Sequence, residues 1–94
     1  MTYVIVNDFD GGTRAQYDAT VSVVHPPEGR LPAGQSQHYA GPSTTGWVVV
    51  AVWDSKETWE QFRDETLLPG LQGLGESGFS GPPKSTEFDA EVSR

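Results

Sequence analysis

The apolar positions of this chain follow two periods, and the switches between them mark out the elements. Near the N-terminus Val4 and Val6 alternate with Tyr3, Ile5, Asn7 and Phe9, which predicts a strand over residues 2–9 with side chains on opposite faces. Asp10-Gly11-Gly12 is turn chemistry. Thr13 followed three residues later by Gln16 matches a capping box. Tyr17, Val21 and Val24 then recur at helical spacing, so a helix is expected over Thr13–Val24. His25-Pro26-Pro27 ends it, because a residue before proline is pushed out of the helical region. Residues 26–34, rich in Pro and Gly, read as a loop, and Gln35–Ala40 as a second strand of mixed polarity. Gly41-Pro42-Ser43-Thr44-Thr45-Gly46 is a hairpin-like connection.

The next segment breaks the alternation. Trp47-Val48-Val49-Val50-Ala51-Val52-Trp53 is seven consecutive apolar residues, almost all β-branched or aromatic. A strand with one wet face alternates, so this one is expected to be covered on both faces. Asp54 or Ser55 caps a second helix, with Trp59, Phe62, Leu67 and Leu71 on one side, and Pro69-Gly70 is expected to kink or interrupt it. Gly73–Pro83 reads as a flexible loop. Phe88, Ala90 and Val92 alternate with Glu87, Asp89 and Glu91, which describes a final edge strand with one wet face.

The order is therefore β-α-β-β-α-β, the split arrangement of ferredoxin-like folds, in an α+β domain spanning residues 1–94. Right-handed crossovers place both helices on one face of a four-stranded antiparallel sheet. The other face is bare in a single copy, and a second copy is its expected cover. An even-numbered connection pairs Ala40 with Trp47 and His38 with Val49. His38, Ser36, Trp47, Val49, Ala51 and Trp53 then share one surface, joined by Tyr3, Ile5 and Asn7. Val48, Val50, Val52, Val4 and Val6 are expected to meet the helices. A one-residue slip would exchange His38 for Tyr39 and Gln37.

Composition narrows the partners. Thirteen acids against six scattered bases give a net charge of −7, which argues against nucleic acid and anionic membrane. Hydrophobic content is 35%, with eleven Gly and seven Pro, a thin core of the kind that gains stability by oligomerising. There is no Cys, hence no disulfide framework and no thiolate chemistry. Residues 1–8 have neither the basic start nor the apolar core of a signal peptide. No apolar run approaches the ~20 residues of a membrane span. A cytoplasmic protein is the expectation.

The chain resembles the dimeric α/β-barrel superfamily, the group containing antibiotic-biosynthesis-type monooxygenases. The resemblance runs through Tyr3-Val4-Ile5-Val6, His38-Tyr39-Ala40-Gly41-Pro42, and Gly46 to Ser55. It continues in the Trp59/Phe62 helix, Leu67-Leu68-Pro69-Gly70-Leu71, and Pro82-Pro83 before the last strand. It implies a homodimer in which two bare sheet faces close a barrel around a pocket. It also implies a choice among oxygenases of polyketide phenols, isomerases, haem-degrading enzymes, peroxidases and proteins without known activity. In the cofactor-independent oxygenases of this group, Asn, Trp and Tyr hold the substrate while oxygen reacts with its carbanion. Asn7, Trp47 and Tyr39 are the same residue types.

Within such a pocket His38 is the candidate catalytic residue. It is the one mid-strand group that titrates near neutrality, suited to take a phenolic or C–H proton. The plainer reading is a strand histidine hydrogen-bonded across a dimer interface. Asn7, Ile5, Tyr39, Trp47, Val49 and Trp53 are the candidate substrate-binding residues, with the tryptophans serving equally well as core anchors. Tyr17 and Tyr3 read as packing residues, His25 as a helix C-terminal residue favoured by the dipole, and Asp54 as a cap. Two distant histidines and no Cys make no metal set. Haem would have His38 alone as ligand and no pocket-side Arg or Lys for its propionates. Gly11-Gly12 and Gly70 lack a dinucleotide-binding context. The expectation is a cofactor-independent homodimeric enzyme of monooxygenase, isomerase or cyclase type, acting on an aromatic or polyketide-like substrate. The alternative is a non-catalytic ligand-binding or structural homodimer.

Overall fold

A computed structural model describes residues 2–92 of the chain. Its elements are β1 (Thr2–Asp10), α1 (Arg14–Val24), β2 (Gln35–Pro42), β3 (Gly46–Trp53), α2 (Lys56–Phe62), α3 (Leu68–Leu74) and β4 (Lys84–Ala90). The four strands form one antiparallel sheet in the order β2-β3-β1-β4. This is the ferredoxin-like arrangement expected from the order of elements.

Local chemistry accounts for the element boundaries. Thr13 and Gln16 form the reciprocal capping box, each side chain accepting from the other's backbone N–H at 3.2 and 3.0 Å. Of the two caps considered for α2, Ser55 fills the position, accepting from the Thr58 N–H at 3.1 Å. Pro69 leaves the helix continuous. Arg63–Leu67 widens into one π turn, in which the Leu68 N–H reaches the carbonyl of Arg63, five residues back. A proline has no N–H for the carbonyl four residues before it, and the widened turn absorbs that loss. The adjacent Gly70 has a separate role. A Cβ there would lie 2.6 Å from Val24 Cγ1, so glycine is what lets α3 pack closely on α1.

Two register predictions need correction. His38 stands opposite Ala51, and Ala40 opposite Val49, two residues from the expected pairing. A two-residue shift preserves the faces, so His38 still shares its surface with Val49, Ala51 and Trp53. A bulge between Gln35 and Gln37 turns Ser36 out to solvent and places Gln35, not Ser36, beside His38.

The larger correction concerns which face the helices cover. The helices pack on the tryptophan face, not on the valine face. Tyr3, Ile5, Ala51, Trp53 and Trp59 form the core, with Phe62 and Leu67 against it, and Ile5 and Trp53 are each only 1% exposed. The Trp53 ring lies 5.8 Å from Trp59 and 5.0 Å from Phe62. Burying large aromatic side chains removes far more apolar area from water than burying valines, and α2 supplies matching rings. Val4, Val6, Val48, Val50 and Val52 are left half-buried on the open face, with Tyr39 60% and Phe88 48% exposed beside them. On β4 the apolar row continues this open face, since Phe88 pairs with Val4. Val92 lies beyond the end of the strand. Among the described residues, no helix is long and apolar enough to cross a membrane.

Candidate functional site

Between the sheet and the helices lies a cavity of about 210 Å³. Its floor is Ile5, Asn7, Val49, Ala51 and Trp53 of the sheet. Trp59, Phe62, Leu67 and Leu71 of the helical segment and Tyr17, Val21 and Val24 of α1 roof it. Phe79, stacked on Phe9 at 3.7 Å, closes one end. The wall is mostly apolar; besides Asn7, Thr20, His25, Arg63, Ser85 and Glu87, its polar side chains meet in a hydrogen-bonded chain at one place.

That place is His38, half-buried at the middle of β2. Its Nε2 lies 2.6 Å from the Tyr17 hydroxyl and its Nδ1 lies 2.8 Å from Gln35 Oε1. An amide oxygen only accepts, so Nδ1 carries the proton and Nε2 accepts from Tyr17. Tyr17, His38 and Gln35 all line the cavity. Their relationship rests on three separate features. The helical period turns Tyr17 inward from α1, strand parity turns His38 inward from β2, and the bulge swings Gln35 to the same side. The edge of His25, at the end of α1, packs on the His38 ring at 4.9 Å. Burial, reinforced by His25, pushes the His38 pKa down from 6.5 to about 4. Burial likewise lowers His25 and raises Tyr17. The sequence-based view of His38 as a base tuned to neutral pH is thus revised: the ring is neutral at pH 7 and a weaker base than a free imidazole.

The other candidate residues divide. Ile5, Asn7, Val49 and Trp53 line the cavity with His38. Trp47 is buried on the same side but is not part of the cavity wall, and its ring packs 5.3 Å from Tyr17. Tyr39 points from the open face, where its hydroxyl donates to Gln37 at 3.1 Å, well separated from the cavity. Ser85 donates to Asn7 Oδ1 at the cavity rim, where Glu87 accepts a 2.8 Å hydrogen bond from Tyr3. Tyr17, Gln35, His25, Trp59 and Phe62 are the site residues that pattern reading did not select. The inward stripe of α1 marks Tyr17 once the covered face is known, whereas the bulge that recruits Gln35 leaves no sequence signal.

The indole N–H groups of Trp53 and Trp59, both wall residues, are buried without an acceptor among the described residues, as is that of Trp47. A buried unpaired donor costs about 1–3 kcal/mol. No group of His, Cys, Asp and Glu among the described residues is arranged to hold a metal ion.

The backbone that carries this site is shared with solved structures. A designated antibiotic biosynthesis monooxygenase from Chloroflexus aurantiacus superposes with a TM-score of 0.63 at 17% identity, over 100% of this chain and 97% of that one. SnoaB, a cofactor-independent oxygenase from Streptomyces nogalater, gives 0.61 at 17% identity, over 98% and 95%. The ActVA-Orf6 monooxygenase of Streptomyces coelicolor, solved with nanaomycin D, gives 0.59 at 19% identity, over 99% and 89%. No family model matches the sequence, and no curated protein does. The fold is the one these solved antibiotic biosynthesis monooxygenase and oxygenase structures share. At these identities the likeness is one of backbone architecture.

Proposed function

We propose that this protein is a cofactor-independent small-molecule enzyme, of monooxygenase, isomerase or cyclase type, that acts on a compact hydroxylated aromatic molecule between sheet and helices. The observation that carries the reading is the mostly apolar cavity with the hydrogen-bonded chain Tyr17–His38–Gln35 in its wall. Apolar walls with a few convergent polar groups are the usual make-up of a ligand site. At about 210 Å³ the space suits one or two fused rings, smaller than a polyketide-like substrate. His38 is the basic group of the site, with Ile5, Asn7, Val49 and Trp53 as walls. Loss of a proton from an electron-rich hydroxyarene leaves a carbanion-like ring carbon that reacts with dioxygen. One ring methylene (of the keto tautomer) and one dioxygen give one ring carbonyl and one water. The four electrons taken from the carbon reduce both oxygen atoms, so the change balances without an external reductant. The valine face, with Tyr39 and Phe88, is assigned to a second copy of the chain, since a flat row of β-branched side chains suits face-to-face sheet packing.

A non-catalytic binding or structural homodimer is the second reading, favoured by the same cavity volume. Typical ligand pockets begin near ~300 Å³, and a weakly basic His38 is a modest catalyst. Dioxygen uptake with a panel of one- and two-ring hydroxyarenes, alongside binding by tryptophan fluorescence, separates the two. The enzyme reading expects uptake with at least one compound, lost in Ala51→Leu, which fills the cavity, and in His38→Ala. Binding without turnover of any compound leaves the non-catalytic reading. Absence of both refutes the cavity as a ligand site.

A further inference from the structure

We infer that Tyr17 is the residue that reads the ligand: its phenol oxygen, held as a donor to His38 by a chain anchored at Gln35, accepts a hydrogen bond from a ligand hydroxyl. This rests on the ligand-site reading of the cavity above. The chain has a direction. Gln35 Oε1 accepts from His38 Nδ1 at 2.8 Å, which leaves Nε2 as an acceptor, and the Tyr17 hydroxyl fills it at 2.6 Å. The single proton of the phenol is therefore committed, while its oxygen keeps acceptor capacity that no other group among the described residues uses.

Specificity is a consequence of that direction. The Nε2 lone pair of His38 is already occupied, so Tyr17 rather than His38 makes the contact with a ligand hydroxyl. Tyr17 is thus the ligand-contacting group, and His38 and Gln35 are positioning residues behind it. A ligand that brings an O–H donor completes the chain, whereas one that brings a methyl group in the same place leaves the Tyr17 oxygen unpaired in an apolar wall. The ring of Tyr17 packs against the rings of His38 at 5.9 Å and Trp47 at 5.3 Å. The hydroxyl is accordingly preorganised, which favours discrimination over adaptation.

The probes are 1-naphthol and 1-methylnaphthalene, which differ by hydroxyl against methyl in one position. Their affinities are measured by tryptophan fluorescence for the full chain and three variants. Tyr17→Phe is expected to lower the naphthol-to-methylnaphthalene affinity ratio by about tenfold while leaving methylnaphthalene binding intact, the loss of one hydrogen bond. Gln35→Leu, which releases the direction of the chain, is expected to lower the ratio as well, and Gln35→Glu, which still accepts from Nδ1, to restore it. Nitrogen NMR of His38 should report the Nδ1–H form in the wild type and in Gln35→Glu. An unchanged ratio in Tyr17→Phe overturns the assignment. Equal loss of both ligands in Tyr17→Phe also overturns it, since that marks a purely structural tyrosine and leaves the cavity reading standing. Failure of the wild type to bind either probe overturns both readings together.

Discussion

His38 should remain neutral far into the acid range, and folding stability should carry the imprint. In an unfolded chain a histidine titrates near 6.5, while here burial beside His25 brings the value down to about 4. Between those values the unfolded chain holds a proton that the native state refuses, so stability falls as the pH drops. The stabilisation is fully present above 6.5, is lost progressively as pH falls from 6.5 through about 4, and is constant below that. A displacement of this size corresponds at full expression to about 3 kcal/mol. The ring is half-buried, not sealed, and solvent screening reduces the expected effect to about 1–2 kcal/mol. His25 is shifted in the same direction by burial, so its contribution to the pH dependence has the same sign. The assay is a pair of experiments: urea unfolding across pH 3.5–7.5, and NMR titration of each imidazole. Burial is the larger cause of the shift and the His25 charge the smaller, so His25→Asn should move the His38 midpoint only part of the way back toward 6.5. A wild-type His38 midpoint at or above 6 would refute the buried, neutral geometry on which the Tyr17–His38–Gln35 chain depends.

Three other perturbations test the architecture. Val50→Glu places a charge at the centre of the open valine face, pairing across to Val6 and Tyr39; it should convert a dimer to a monomer by analytical ultracentrifugation, and a wild type that is monomeric at micromolar concentration would sink the dimer assignment. Trp53→Ala removes the most buried large side chain of the core and should destabilise by about 3–5 kcal/mol in denaturant titration, a large share of the stability of a small domain. Gly34→Ala should destabilise by more than the ~1 kcal/mol of a simple backbone penalty, because Gly34 has φ +90° and a Cβ there would meet Thr58 Cγ2; a wild-type melting temperature for this variant would contradict the packing of the 26–34 loop on α2.

Much of the architecture was legible from residue pattern. The alternation in β1, the capping box before α1 and the Pro26-Pro27 stop specified local structure, and the element order then specified a ferredoxin-like sheet. Parity also placed His38, Ile5, Asn7, Val49 and Trp53 on one surface, because strand alternation survives a two-residue error in register. The same parity removes Tyr39 from the cavity, once Tyr39 is seen opposite Val50.

What the sequence could not decide is which of two apolar faces the helices would take. Alternation says which side chains travel together, not which neighbour they meet, and the run from Trp47 to Trp53 is apolar on both faces. The tertiary structure settles the choice by complementarity: bulky rings on β3 pack against the rings of Trp59 and Phe62, and the even row of valines is left for a flat surface. The cavity arises from that choice, since large rigid rings on both walls leave space that smaller side chains would close. Only the folded chain brings Tyr17, His38 and Gln35 within hydrogen-bonding distance, from a helix face, a strand face and a bulge. The sequence by itself determined the sheet and the company His38 keeps; the packing of aromatic rings determined that this company surrounds a cavity beneath the helices, with the valines turned outward.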